Sequence, residues 1–119
     1  MLTERNVDQV YLACGVTDLR KSIDGLATLV QQGFGLDPFS RSIFVFCNRN
    51  RDKLKILEWD HNGFWLHYRR LEKGTFRWPQ STSQLQTHAI DYRSFRWLLD
   101  GLDLNQKKAH RSLSPSIAN

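Results

Sequence analysis

Residues Ser42–Pro79 read SIFVFCNRNRDKLKILEWDHNGFWLHYRRLEKGTFRWP. Runs rich in β-branched and aromatic residues alternate with polar turns, the pattern of consecutive strands. Ser42–Cys47 forms the first strand, Asn48–Asp52 a polar turn and Lys53–Trp59 the second strand. Asp60-His61-Asn62-Gly63 contains Asn-Gly, the strongest short hairpin signal, because that turn needs residues that tolerate positive φ. Phe64–Leu71 returns, Lys73-Gly74 turns again, and Thr75–Trp78 reads as a further sheet segment stopped by Pro79. The strands are apolar in places on both faces. Two helices, or one helix and a partner protein, must cover them.

The rest of the chain supplies the cover. Val10–Cys14 (VYLAC) is a short strand broken by Gly15. Thr17 or Asp18 can cap a helix that runs to about Gln32, with Ile23, Leu26, Ala27, Leu29 and Val30 on one face. Gly33 and Gly35 end it, and Gly25 within it suggests close packing against the sheet. Leu36–Arg41 is a loop and Gln80–Gln84 a polar linker. Leu85–Ile90 is a last strand, and Asp91 caps a second helix carrying Phe95, Leu98, Leu99 and Leu102. The expected fold is a single α+β domain over 1–102: an antiparallel meander sheet of about four to five strands with two helices. Residues 103–119 read as a polar, basic, mobile tail.

The composition is that of a globular protein, with 40% hydrophobic and 24% charged residues among 119. No apolar run approaches the roughly 20 residues that cross a bilayer. The N-terminal MLTERNVDQV lacks a signal-peptide core, so a cytoplasmic location is expected. Cys14 and Cys47 sit in apolar runs and read as buried thiols. The net charge of +5 is uneven: residues 1–40 carry net −2, residues 41–79 net +5 and residues 80–119 net +2. Concentrated positive charge attracts polyanions.

The hairpin narrows where such a polyanion would bind. If Asn62-Gly63 is a two-residue turn, Lys55 opposes Arg70; if His61-Asn62-Gly63 is a three-residue loop, Lys55 opposes Arg69. Like charges opposed across strands destabilise a sheet by a few tenths of a kcal/mol, and a phosphate between them reverses the sign. The candidate nucleic-acid contacts are Arg49, Arg51, Lys53, Lys55, Arg69, Arg70, Lys73 and Arg77. Trp59, Trp65, Tyr68 and Trp78 are interleaved with them and can stack on bases or dock a protein. The competing reading makes the cations a solvated surface and the tryptophans core.

Catalytic patterns are weak. No His or Cys pair has metal-ligand spacing. Asp18 and Asp24 read as helix-cap and helix-surface groups, Asp52 and Asp60 as turn residues. Glu58 is a carboxylate within a strand, best explained by pairing with a neighbouring cation. Neither cysteine has a recognisable base, and no Gly-rich loop opens a helix. No catalytic residue, metal or cofactor is expected.

The segments VYLACGVTDLRKSIDGLATLV and LDPFSRSIFVFCNRNRDKLKILEWDHNGFWLHYRRLEKGTFRWP resemble the TnpB-type accessory proteins of the insertion-sequence-sixty-six transposon family. These are distinct from the RNA-guided nuclease of the same name. The resemblance covers roughly Val10–Pro79 and rests on TD-x-RK-x-IDGLA, NR-x-RDK-x-KIL-x-WD-x-x-GFW and FRWP. Cys47 departs from a position that is often basic, Ser22 from one that is often Gly, and His61 varies the central turn. The resemblance implies a mobile-element protein that works with a separate, larger transposase and has no defined catalytic activity. Its first helix carries Arg20 and Lys21 as possible partner-facing residues. Residues and resemblance together lead to an expected non-catalytic accessory protein that binds DNA, at element ends, and assists the transposase. The alternative is a protein–protein adaptor whose Trp59, Trp65 and Trp78 form an apolar docking patch without DNA contact.

Overall fold

The computed structural model describes residues 7–80 and 86–101. Its elements are β1 (Val10–Ala13), α1 (Ile23–Thr28), β2 (Ile43–Cys47), β3 (Lys53–Asp60), β4 (Gly63–Arg70), β5 (Thr87–Ile90) and α2 (Tyr92–Leu99). The strands form one five-stranded sheet in the order β4-β3-β2-β1-β5. The α+β class, the strand number and both helices agree with the sequence reading. The expected tail 103–119, Leu102 and most of the linker lie outside the described residues.

One expectation about the sheet is corrected. β2, β3 and β4 form an antiparallel meander, and β5 runs antiparallel to β1, but β1 and β2 are parallel. The sheet is therefore mixed. The reason is α1: it carries the chain from the end of β1 back to the start of β2, and such a crossover joins parallel neighbours.

Helix α1 begins later than expected. Ser22 stands at its N-cap, in place of Thr17 or Asp18. Asp18 is held elsewhere, accepting from the backbone N–H and the guanidinium of Arg20. The Thr17 N–H donates to the Cys47 carbonyl (2.9 Å), which keeps this stretch beside β2. The helix widens into a π-helical turn over Leu29–Gly33, and Gly35 follows at φ +68°. Gly25 does not mark close approach to the sheet: a Cβ there would meet the Lys21 stem at 3.4 Å. The cap of α2 is as read, with the Asp91 carboxylate accepting from the Ser94 N–H at 2.7 Å.

Each helix covers one face. On one side, Leu26 of α1 and Val30 of the π-helical turn pack on Ala13, Phe44, Phe46 and Leu57. Under α2, Phe95 and Leu98 pack with Val10, Leu12, Ile43, Val45, Leu54 and Ile56. Fully burying one such side chain contributes about 1.5–3 kcal/mol, so the two layers supply most of the cohesion. Glu58 is buried on the α2 face and pairs with His67 on the neighbouring strand at 3.1 Å. Cys47 is buried, and desolvation pushes its thiol up to about 12; Cys14 is only half-buried, contrary to expectation.

Thr75–Trp78 is not a strand. The segment after β4 crosses the end of the sheet instead, with Leu71 N–H on the Asp52 carbonyl (2.8 Å) and Phe76 N–H on the Arg51 carbonyl (2.7 Å). Phe76 and Trp78 turn inward to the α2-side core.

Candidate nucleic-acid interface

Three loops meet where β1, β2 and β4 end and β3 begins. They are residues 14–22, 48–52 and 71–80. Backbone hydrogen bonds tie them together: Gly15 N–H to Pro79 carbonyl (3.0 Å), Thr17 N–H to Cys47 carbonyl, and Phe76 N–H to Arg51 carbonyl. The indole Nε1 of Trp78 adds a buried bond to the Ala13 carbonyl at 2.8 Å. This end lies beyond the carboxyl ends of the parallel pair β1 and β2, the location at which open α/β sheets tend to bind ligands.

Asn48 organises the middle loop. Its Oδ1 accepts from the N–H groups of Asp52 (3.1 Å) and Lys53 (3.0 Å), and its Nδ2 donates to the Asp52 carboxylate (2.8 Å). That bond is the main reason why the Asp52 carboxyl lies below its ordinary value. Arg51 is fixed at φ +60°, a left-handed conformation that costs a non-glycine residue about 1 kcal/mol. The loop thereby projects Arg49 and Arg51, both exposed, into a depression of about 310 Å3 that is also lined by Gly15, Val16, Asn48, Trp78 and Gln80. This volume is at the lower end for ligand pockets.

The fold sorts the candidate cations. Arg49, Arg51, Lys53, Arg70, Lys73 and Arg77 gather at this end of the sheet, joined by Arg20 and Lys21 from the loop before α1. Among the described residues, Arg49, Arg51, Lys73 and Arg77 make no ion pair, whereas Arg20 pairs with Asp18, Lys53 with Asp52 and Arg70 with Glu72. The Arg20 guanidinium holds the Asp18 carboxyl well below the usual range. Lys55 lies further in, its Nζ donating to the Lys21 carbonyl at 3.3 Å, so it tethers the entry to α1. Arg69 leaves the group: it lies on the α2 face, where its guanidinium donates to the Leu99 carbonyl at 3.4 Å. A cation suits a helix C-terminus, where the helix dipole is negative.

The opposing cations are not those expected. Lys55 faces Tyr68, and Lys53 faces Arg70. The two-residue turn is His61-Asn62, with His61 at φ +64°, so the register moves away from both sequence alternatives. Positive φ at the first turn residue alone is the type II′ pattern, not the type I′ pattern that Asn-Gly suggests.

The aromatics are not interleaved with the cations in space. Trp78 is 6% exposed and forms the floor of the basic end, which closes its face to bases. Trp59 sits at the opposite end, edge-on to Phe39 and Phe64 at 4.9 Å. Trp65 is exposed on the α2 face of β4, stacks on His67 and donates to Asp60. Tyr68 is exposed on the α1 face opposite Lys55, the one exposed candidate aromatic beside the cations. The three tryptophans therefore form no single docking patch.

Sequence reasoning missed Asn48 and Gly15. The available signal for Asn48 was its place at the start of a polar turn, where an Asn side chain commonly bonds backbone N–H groups further on. The opposite end of the sheet carries Asp8, paired with Arg41 at 2.6 Å, together with Asp37, Asp60 and Asp91. Charge is thus segregated along the strands. No helix among the described residues is long and apolar enough to cross a membrane.

Fold and site define a small α+β protein with a preorganised basic end and no converging group of three or more His, Cys, Asp or Glu side chains among the described residues. The chain belongs to the IS66 Orf2-like protein family, whose model matches residues 8–109. This is a family of transposition-associated accessory proteins rather than a known catalytic one. The uncharacterized protein y4hO of Sinorhizobium fredii (strain NBRC 101917 / NGR234) is 35% identical over 95 residues, 80% of this chain and 81% of that protein. The uncharacterized protein y4jC of the same strain is 34% identical over 71 residues, 60% of this chain and 61% of that protein. No solved structure matches.

Proposed function

We propose that this protein is a non-catalytic accessory factor of transposition that binds DNA through the basic end of its sheet and helps to position a separate transposase. The observation that carries this reading is that Arg49 and Arg51 line one depression and Arg77 is exposed on the adjoining loop, all three without carboxylate partners among the described residues, on loops held by Asn48 and Trp78. Because the loop backbone is held, a bound phosphate has only the long side chains to order. The separated tryptophans, one of them buried, weigh against an adaptor that docks through them alone.

The test is binding to element-end duplexes across a salt series. Each phosphate contact contributes about 0.9 to the log–log slope on duplex DNA. Replacing Arg49, Arg51 and Arg77 together by Ala should lower the slope by roughly 2–3 units and weaken binding. Unchanged affinity and slope in a folded triple variant would sink the proposal.

A further inference from the structure

The geometry points to antiparallel pairing of β4 with β4 of a second copy of this chain. β4 is an edge strand, paired with β3 alone among the described residues. It is eight residues long and free of Pro, and it displays Trp65 (46% exposed) and Tyr68 (56% exposed) on opposite faces. Long apolar edges of this kind pair with other strands unless charges or bulges blunt them. Here the blunting cations, Arg69 and Arg70, stand only at the strand's C-terminal end.

That placement selects the occupant and its direction. In an antiparallel pair about a two-fold axis at Leu66, opposed residues share a face. On the α1 face Leu66 meets Leu66 of the second copy, and Phe64 meets Tyr68 of the second copy. On the α2 face Trp65 meets His67 of the second copy. Aromatic and apolar pairs of this type favour strand association. Arg69 comes opposite Gly63 of the second copy, which neighbours Asp60 on the same face of the sheet. The two Arg69 positions stand roughly 20 Å apart at ~3.4 Å per residue, beyond the screening length of about 8 Å. A parallel arrangement would instead stack like charges about 4.8 Å apart. The strand is self-complementary in one direction.

The two-fold axis sends the two basic ends to opposite ends of the joined sheet, each able to take one DNA segment. This consequence rests on the DNA reading; the strand pairing does not.

Sedimentation equilibrium of the native chain without DNA, from low to high micromolar concentration, should show a reversible dimer. In a Cys14→Ser background, oxidised Leu66→Cys should give a disulfide-linked dimer because Leu66 faces its own copy. Tyr68→Cys should not, since its two copies lie roughly 14 Å apart along the strands, outside disulfide reach. A monomer at every concentration overturns the pairing, and cross-linking of Tyr68→Cys as readily as Leu66→Cys overturns the register. A dimer that binds no DNA supports the pairing and overturns the functional reading.

Discussion

Lys53 lies directly opposite Arg70 across β3 and β4, and each cation has its own carboxylate, Asp52 at 3.5 Å and Glu72 at 2.9 Å. Two like charges are thereby held side by side at the end of the sheet, each beside its own carboxylate. On the DNA reading proposed above, a phosphate at this end would meet both.

The pair yields a separable prediction. Lys53→Ala and Arg70→Ala should each change stability by no more than about 0.5 kcal/mol, because exposed ion pairs contribute little and the opposed charge is relieved. Each should nevertheless lower the salt slope of DNA binding by about one unit. Urea titrations and fluorescence anisotropy on the same samples measure the two effects. A large stability loss would make the pair a structural clamp.

Arg51 offers the reverse signature. Its φ of +60° is paid for by the native loop, and glycine adopts that conformation without the Cβ clash. Arg51→Gly should leave stability unchanged or raise it by about 0.5–1 kcal/mol while weakening DNA binding. Thermal melts together with binding curves would show whether the strain and the charge are separable in this way.

Trp78 should behave as structure rather than as contact. Trp78→Phe keeps most of the buried ring but deletes the indole bond to the Ala13 carbonyl. The expected cost is about 0.5–1.5 kcal/mol, read as a lower urea midpoint. Trp65→Phe, on an exposed position, should cost well under that. If the two variants unfold at the same midpoint, the anchoring role of Trp78 is wrong.

Acid should loosen the basic end through Asp52. Its carboxyl is depressed below 3.8, chiefly by the Asn48 side chain. A depressed carboxyl stabilises the fold above its ordinary value, and that contribution is lost as pH falls through the folded one. Stability should therefore hold from neutral pH to about pH 4 and decline below it. Asn48→Ala should be less stable at neutral pH and show a shallower acid decline, measurable by urea unfolding at several pH values.

Much of the fold was legible because local patterns are strong where chain neighbours decide structure. The runs Ile43–Cys47, Lys53–Asp60 and Gly63–Arg70 alternate with polar turns, and Asp91 is a capping residue before an apolar helical stripe. The parallel pairing of β1 and β2 was not legible, since nothing local to VYLAC or IFVFC records which strand lies alongside. The register failed for a smaller reason. Asn62-Gly63 is the commoner turn pair, but His61 takes the positive φ, and that one-residue displacement re-pairs every residue of the hairpin.

The candidate site shows the same division. Its cations were legible as cations because charge is written in the residues, and the excess in residues 41–79 is a property of composition. Their sorting was not. Arg69 and Arg70 are chain neighbours on opposite faces, while Arg49 and Gly15 are far apart in sequence and line one depression. Trp78 looked like a stacking platform and is the floor of the site.

The sequence by itself determined five of its strands and both helices to within a few residues, the basic middle segment and the family resemblance, because hydrophobic period, turn chemistry and charge act over a few residues; it misread Thr75–Trp78 and the start of α1. Only the tertiary structure decided which cations share a surface. That depends on the α1 crossover, on the His61-Asn62 register and on the return of residues 71–80 across the end of the sheet, all contacts between residues distant along the chain.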